Sequence, residues 1–296
     1  MKKRPFDVVR SWLMCPALND AMLVKSAGRG ADVVVVDLED SAPMPLKAQA
    51  RAIAARVTAA QPGTFVVRIN DPMHDGGRLA LEDLRAVLNP ALHGIVVPKV
   101  EEAEALRRVF AVLQEESSRL HPDFEVIPLI ETPAGVEALS TTLAEAPSPW
   151  MVRVGFGAGD YTASLGVEWS HRPGQLLYPR SRIAAVCNAR GLRGPIDTGS
   201  PLLDDRETFC ADGEEAKLLG FKSKFCIHPR QIDWVHDLFL PTDREVEKAR
   251  KIVAAYESVE AKGSGELVTT AEGWMIDLPI VRHSYAILER AGLEPS

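Results

Sequence analysis

Short apolar runs alternate with longer amphipathic stretches along most of the chain. The apolar runs lie at residues 10–17, 31–39, 64–70, 94–100, 124–132 and 150–160, with weaker ones at 195–199 and 224–229. They are rich in Val and Ile and mostly continuous, the pattern of strands buried on both faces of a parallel sheet. Between them, residues 46–60, 101–120 and 180–190 predict helices, the first with apolar residues at three- and four-residue spacing. Strand starts fall roughly thirty residues apart, the length of a βα unit. A longer gap after the sixth run leaves room for an inserted loop at 166–179. Eight strands alternating with helices predict an α/β fold, a TIM (β/α)8 barrel, over residues 1–235. An open doubly wound sheet is the alternative, although no G-x-G-x-x-G follows the first strand.

Beyond residue 229 the pattern changes. Residues 242–262 predict one long charged helix, 263–265 a linker, 266–277 a short β element and 279–291 a final helix. Residues 236–296 therefore form a C-terminal helical extension beyond what a barrel of about 250 residues requires.

Composition narrows the class of protein. The 296 residues are 46% hydrophobic and 25% charged, which excludes a disordered, collagen-like or coiled-coil chain. Lys and Arg number 34 against 41 Asp and Glu, a net charge of −7, so a nucleic-acid partner is not expected. Cys15, Cys187, Cys210 and Cys226 lie far apart and form neither a disulfide framework nor a zinc motif. No apolar run is long enough to span a membrane, and the stretch 11–16 is too short for a signal-peptide core. A cytoplasmic protein with no membrane partner is the expectation.

The candidate chemistry sits where the strands end. Asp37, Glu39, Asp40, Arg68, Asn70, Lys99, Glu131, Asp160, Asp197 and His228 all fall at or just after the C-terminal ends of predicted strands. Barrel enzymes place their chemistry there; single charges at strand ends are also often solvated or paired. Glu131 and Asp160 end adjacent strands and suit a hard divalent cation, or else an acid–base carboxylate pair of the glycosidase type. Glycines around Gly157 and Ala158 allow backbone to approach a ligand, or simply turn the chain. Thr132 and Pro133 have the form of an N-cap and first helical residue. Arg68 offers a fork for a carboxylate, or forms a salt bridge to Glu39 or Asp40. Arg10 and Lys99 are candidate contacts for cofactor phosphates. His228 is a candidate base, or a structural histidine.

These residues sit in stretches that resemble the citrate lyase beta-subunit-like family, within the wider HpcH/HpaI aldolase group. The stretches are RSWLMCPA (10–17), GADVVVVDLEDS (30–41), VVRIN (66–70), GIVVPKVE (94–101), IETPAGV (130–136), GFGAGDYTASLG (155–166), Asp197, IHPRQI (227–232) and MIDLPIV (275–281), in family order over nearly the whole chain. The resemblance implies a TIM barrel whose C-terminal extension acts as a lid, assembled as a homo-oligomer, trimer or hexamer. It implies carbon–carbon bond cleavage or formation in acyl thioesters such as malyl-CoA, citramalyl-CoA or citryl thioesters. It further implies Mg2+ held by Glu131 and Asp160, Arg68 on the oxo acid (glyoxylate or pyruvate), and Asp277 reaching a neighbouring subunit for proton transfer. The chain departs from many relatives at Ala17, after Pro16, and at Gly273 and Trp274.

The expected reaction is Mg2+-dependent retro-Claisen cleavage of a 3-hydroxy-3-carboxy-acyl-CoA to acetyl-CoA and a 2-oxo acid. Glu39 and Asp40 would hold Arg68 or metal-bound water. The alternatives are a thioesterase on malyl-CoA, a citryl-thioester lyase subunit served by an acyl-carrier protein, and a non-catalytic CoA-binding barrel.

Overall fold

The computed structural model describes residues 9–61, 63–260, 268–269 and 275–293. The linker expected at 263–265 and the departure at Gly273 and Trp274 lie outside the described residues. The chain divides into two compact units, Met1–Leu238 and Phe239–Ser296.

In the first unit eight parallel strands close into a barrel in sequence order, β8 pairing back onto β1. They are β1 (Ser11–Pro16), β2 (Val33–Asp37), β3 (Phe65–Arg68), β4 (Leu92–Val97), β5 (Glu125–Ile130), β6 (Gly155–Phe156), β7 (Ile196–Asp197) and β8 (Ser223–Cys226). The helices around them are α1 (Asp20–Ser26), α2 (Lys47–Ala60), α3 (Arg78–Val87), α4 (Ala103–Glu115), α5 (Pro133–Glu145), α6 (Ala158–Ser164), α7 (Leu177–Ala189), α8 (Arg206–Leu218) and α9 (Arg230–Phe239). The expected barrel is present and the open-sheet alternative is not. The sixth strand is shorter than the apolar run around it, because the chain turns into α6 directly after Gly157.

Strands β1–β5 serve two cores, which is why their runs read as continuous. Within β2, Val33 and Val35 join Trp12, Val66, Val96, Ile127, Leu129, Ile196 and Phe225 inside the barrel. Val34 and Val36 face outward into the larger core beneath the helices, with Leu84, Leu106, Leu139 and Ile183. Successive strand side chains point to opposite faces, so a barrel wrapped in helices demands apolar residues at both parities.

Charge plugs the N-terminal end of the barrel. Arg153 forks onto Glu125, Nε to Oε2 at 2.7 Å and Nη2 to Oε1 at 3.0 Å, and its guanidinium lies 5.2 Å from the centre of the Trp12 ring. Arg193 pairs with the same carboxylate. Gly94 of β4 stands opposite Glu125 of β5, and a Cβ there would overlap the Glu125 carbonyl oxygen.

In the second unit α10 (Asp243–Glu260) packs on α11 (Leu278–Arg290) through Ala249, Val253 and Leu288, and Ile252 joins Ile276 and Val281. The short strands β9 (Val268–Thr269) and β10 (Met275–Ile276) pair antiparallel. Among the described residues no helix is long and apolar enough to cross a membrane.

Gly94→Ala is expected to destabilise the protein by about 2–3 kcal/mol, since the opposing atom is backbone and cannot rotate away. Urea unfolding measures this; an unchanged midpoint refutes the close approach.

Candidate active site

The alternation that fills the barrel interior also builds the site. One step of two residues beyond the interior positions Val35, Val66, Leu129 and Phe225 brings Asp37, Arg68, Glu131 and Ile227 to the C-terminal rim. All four line one cavity of about 390 Å³, together with Gly157, Asp160 and Thr198. This is the end at which barrel enzymes carry out their chemistry.

Arg68 is the hub of the wall. Its Nε and Nη2 donate to both Asp37 carboxylate oxygens at 2.7 and 2.8 Å, its Nη1 lies 3.1 Å from Glu39 Oε2, and its Nη2 lies 3.3 Å from Asp40 Oδ2. Both salt bridges expected from the sequence, to Glu39 and to Asp40, are present, but the two-pronged partner is Asp37. Asp37 shares the interior parity of Val33 and Val35, which is the sequence signal for its orientation. Burial alone would raise the Asp37 carboxyl, yet the Arg68 guanidinium and neighbouring amides hold it below the usual carboxylate range. Behind this wall the buried Lys47 Nζ donates to the carbonyls of Leu38 and Glu39 at 2.7 and 2.5 Å, which fixes the loop that carries Glu39 and Asp40.

Glu131 sits deeper, 2% exposed. Burial and the nearby charges of Glu39 and Asp160 push its carboxyl up to about 8, against the opposing effect of Arg68. Burial also raises Glu39, against Arg68 and Lys99. Lys99 reaches both carboxylates: its Nζ donates to Glu39 Oε1 at 2.6 Å and its backbone N–H to Glu131 Oε1 at 2.8 Å. Lys99 has a left-handed backbone, φ 51°, a conformation costing a side chain of this kind on the order of 1 kcal/mol. That turn helps bring its amide to Glu131.

Gly157 acts through the space it leaves. Its φ of −115° is open to any residue, but a Cβ would lie 2.7 Å from Glu131 Cβ and 2.8 Å from Oε2. Thr132 caps α5 by accepting from Gly135 N, with Pro133 in the first turn, as expected. Asp160 lies in the first turn of α6, exposed at the cavity wall.

Several expected residues stand elsewhere. Arg10 precedes β1, so it lies at the opposite end of the barrel, ~20 Å from the C-terminal rim at about 3.3 Å per residue. Its backbone N–H and guanidinium are used by Asp32 and the His236 carbonyl. Ala158 is fully buried and its amide donates to Thr198 Oγ1 at 2.9 Å, which leaves that amide committed. Asp197 has the parity opposite to the interior Ile196 and is buried between Arg180 and Lys224, at 3.0 and 2.5 Å. Asn70 is held by Asp83, and the exposed His228 accepts from Arg230 N. Asp277 belongs to the second unit, where it is exposed and caps α11 by accepting from Ile280 N at 3.1 Å.

The N-terminal end also holds Ser11, His236 and Asp32. Ser11 Oγ at 2.8 Å and Asp32 Oδ2 at 3.4 Å both approach the same ring nitrogen, Nε2, and Ser11 is fully buried. A relay needs the two partners on different ring nitrogens, so this cluster ties α9 to the sheet.

The cavity side suits a hard cation. Five carboxylates, those of Asp37, Glu39, Asp40, Glu131 and Asp160, face the cations Arg68, Lys99 and Lys47, leaving an excess of negative charge when all are ionised. Among the described residues no group of three or more His, Cys, Asp and Glu side chains forms a metal cage. What the chain offers is an all-oxygen pair, Glu131 and Asp160, on an open cavity, the donor set that suits Mg2+ when water and substrate supply the remaining ligands.

Comparison with known proteins agrees with this architecture. The profile of the HpcH/HpaI aldolase/citrate lyase family matches residues 10–229. A citrate lyase subunit beta-like protein of Deinococcus radiodurans is 33% identical over 291 residues, covering 96% of this chain and 98% of that protein. An L-malyl-CoA/beta-methylmalyl-CoA lyase of Cereibacter sphaeroides is 29% identical over 306 residues, covering 95% and 94%. The crystal structure of CitE from Mycobacterium tuberculosis in complex with magnesium, acetoacetate and coenzyme A has a TM-score of 0.76 at 29% identity, covering 97% of this chain and all of that one.

The elevated Glu131 carboxyl sets a pH dependence. Folded Glu131 keeps its proton up to about 8, whereas in the unfolded chain it is lost near 4.5. The stability contributed by the protonated group is therefore complete below about pH 4.5 and is lost as pH rises through about 8. Metal-free protein is expected to lose stability relative to Glu131→Gln between these limits in thermal melts. Parallel pH profiles for the two proteins contradict the assignment.

Proposed function

This chain belongs to the HpcH/HpaI aldolase/citrate lyase family and is a carbon–carbon lyase; from that premise we propose that it cleaves a 3-hydroxy-3-carboxy-acyl-CoA to acetyl-CoA and a 2-oxo acid, glyoxylate or pyruvate, with Mg2+. The observation that carries the reading is the pairing of Glu131 and Asp160 on the same cavity as the Arg68 guanidinium. One side of that cavity attracts a cation and the other presents one.

Glu131 and Asp160 are the residues proposed to hold Mg2+. When bound, the ion supplies Lewis acidity that lowers the pKa of the substrate hydroxyl. Arg68 orients the substrate carboxylate and offsets charge on the forming oxo acid. Asp37, Glu39 and Asp40 hold its plane in place while it does so. Lys99 and Gly157 keep Glu131 directed at the cavity, one by its amide and one by leaving room.

Breaking the carbon–carbon bond leaves the electron pair on the acetyl-CoA fragment as an enolate, which must gain a proton at carbon. Asp277 is the proposed acid–base: its carboxylate takes the proton that the substrate hydroxyl loses as the bond breaks and returns it to the enolate carbon. It is carried on the C-terminal extension, acting as a lid over the site of a neighbouring subunit in a homo-oligomer, a trimer or hexamer. Its capping bond with Ile280 N fixes the carboxylate at the start of a helix. Acid–base chemistry of this kind contributes about 100-fold or more to a rate.

The purified chain with Mg2+ is expected to release glyoxylate from malyl-CoA or pyruvate from citramalyl-CoA, and EDTA to abolish the activity. Full activity after chelation excludes the role of the metal, and free malate as the product identifies a thioesterase instead. Asp277→Ala is expected to lower kcat about 100-fold while Mg2+ binding, measured by calorimetry, stays unchanged. Unaltered turnover removes Asp277 from the mechanism.

A further inference from the structure

The relatives of this chain divide between names that refer to citrate and names that refer to malyl-CoA. Malyl and citryl groups differ in one substituent on the hydroxyl-bearing carbon, hydrogen against carboxymethyl, and citramalyl-CoA carries a methyl group there. The floor of the cavity bears on that difference.

Met14, Val96, Leu129 and Phe225 belong both to the cavity lining and to the apolar cluster that fills the barrel interior, so they form the floor. Gly155 of β6 lets that floor close, since a Cβ would lie 3.0 Å from Leu129 Cδ1 and 3.1 Å from Phe225 Cε2. Among the described residues, Arg68 is the only cationic side chain in the lining, and the reading above assigns it to the first substrate carboxylate. Thr198, the hydroxyl residue of the lining, accepts from Ala158 N and donates to the Gly199 carbonyl. A second substrate carboxylate would therefore meet apolar side chains below and carboxylates beside it. An unpaired buried charge is strongly disfavoured, whereas a methyl group gains from the same surface.

We propose that the Met14–Val96–Leu129–Phe225 floor makes this enzyme selective for thioesters whose oxo-acid half carries hydrogen or a short alkyl group, and that it rejects those carrying a second carboxylate. This rests on the lyase reading above and narrows it.

The test is a cleavage panel of malyl-CoA, citramalyl-CoA and citryl-CoA with the full chain and Mg2+. The expected kcat/KM for citryl-CoA is about 100-fold below that of the better of the other two. Citryl-CoA cleaved within tenfold of that substrate overturns the proposal. Met14→Ala separates size from charge: it is expected to admit a longer alkyl arm, such as an ethyl group, and still reject citryl-CoA. Citryl-CoA gaining as much as the ethyl analogue also overturns it. If no thioester is cleaved, the lyase reading fails and the floor is judged by binding alone. Calorimetry with Mg2+ should then give pyruvate binding at least tenfold tighter than freshly prepared oxaloacetate, and equal affinities refute the proposed selectivity.

Discussion

The site depends on the Arg68–Asp37 fork. Two parallel charge-assisted hydrogen bonds fix the guanidinium plane, and the remaining edges of the group meet Glu39 and Asp40. Without that cation, five acidic groups near the mouth of one barrel would face each other with only lysines to offset them. Losing one partner of a buried pair generally costs about 3–5 kcal/mol, because the other is left uncompensated. The same arginine that makes the acidic wall tolerable is the cation available to a substrate carboxylate. Structure and chemistry therefore draw on one side chain.

Around this hub the chain accepts local cost to aim its groups. Lys99 adopts a left-handed backbone and its amide meets Glu131. Gly157 gives up a side chain so that the Glu131 carboxylate fits. Glu131 itself is buried where its charge is disfavoured, which is unfavourable for folding and favourable for capturing a cation. Each departure falls at the C-terminal end of the barrel. The N-terminal end is built differently, with Glu125 saturated by Arg153 and Arg193 and the aromatic ring of Trp12 beneath them.

Much of this was legible along the chain, with specific exceptions. The first five strands could be read because continuous Val- and Ile-rich runs reflect a core on each side. Asp37, Arg68 and Glu131 could be read as site residues because they continue the inward parity of their strands. Asp197 was misleading because it has the outward parity, and its neighbours Arg180 and Lys224 lie 17 and 27 residues away in sequence. Arg10 was misleading because a run of apolar residues does not say which of its ends meets the cavity; chain direction in the closed barrel does. Ala158 was misleading because the partner of its amide, Thr198, lies 40 residues further on.

By itself the sequence determined the class of fold, the order of its elements, the resemblance to one family and the identity of the charged residues at strand ends. Those follow from local periodicity, turn chemistry and residue type, which need no knowledge of distant contacts. Only the tertiary structure decided which carboxylate takes both prongs of Arg68, why Gly157 has no side chain, and that an apolar floor lies beneath the charged wall. These are properties of groups brought within a few ångströms by pairing β2 with β3 and β5 with β6 and by closing β8 onto β1. Burial and electrostatic coupling at that range depend on distance, and linear order does not encode distance.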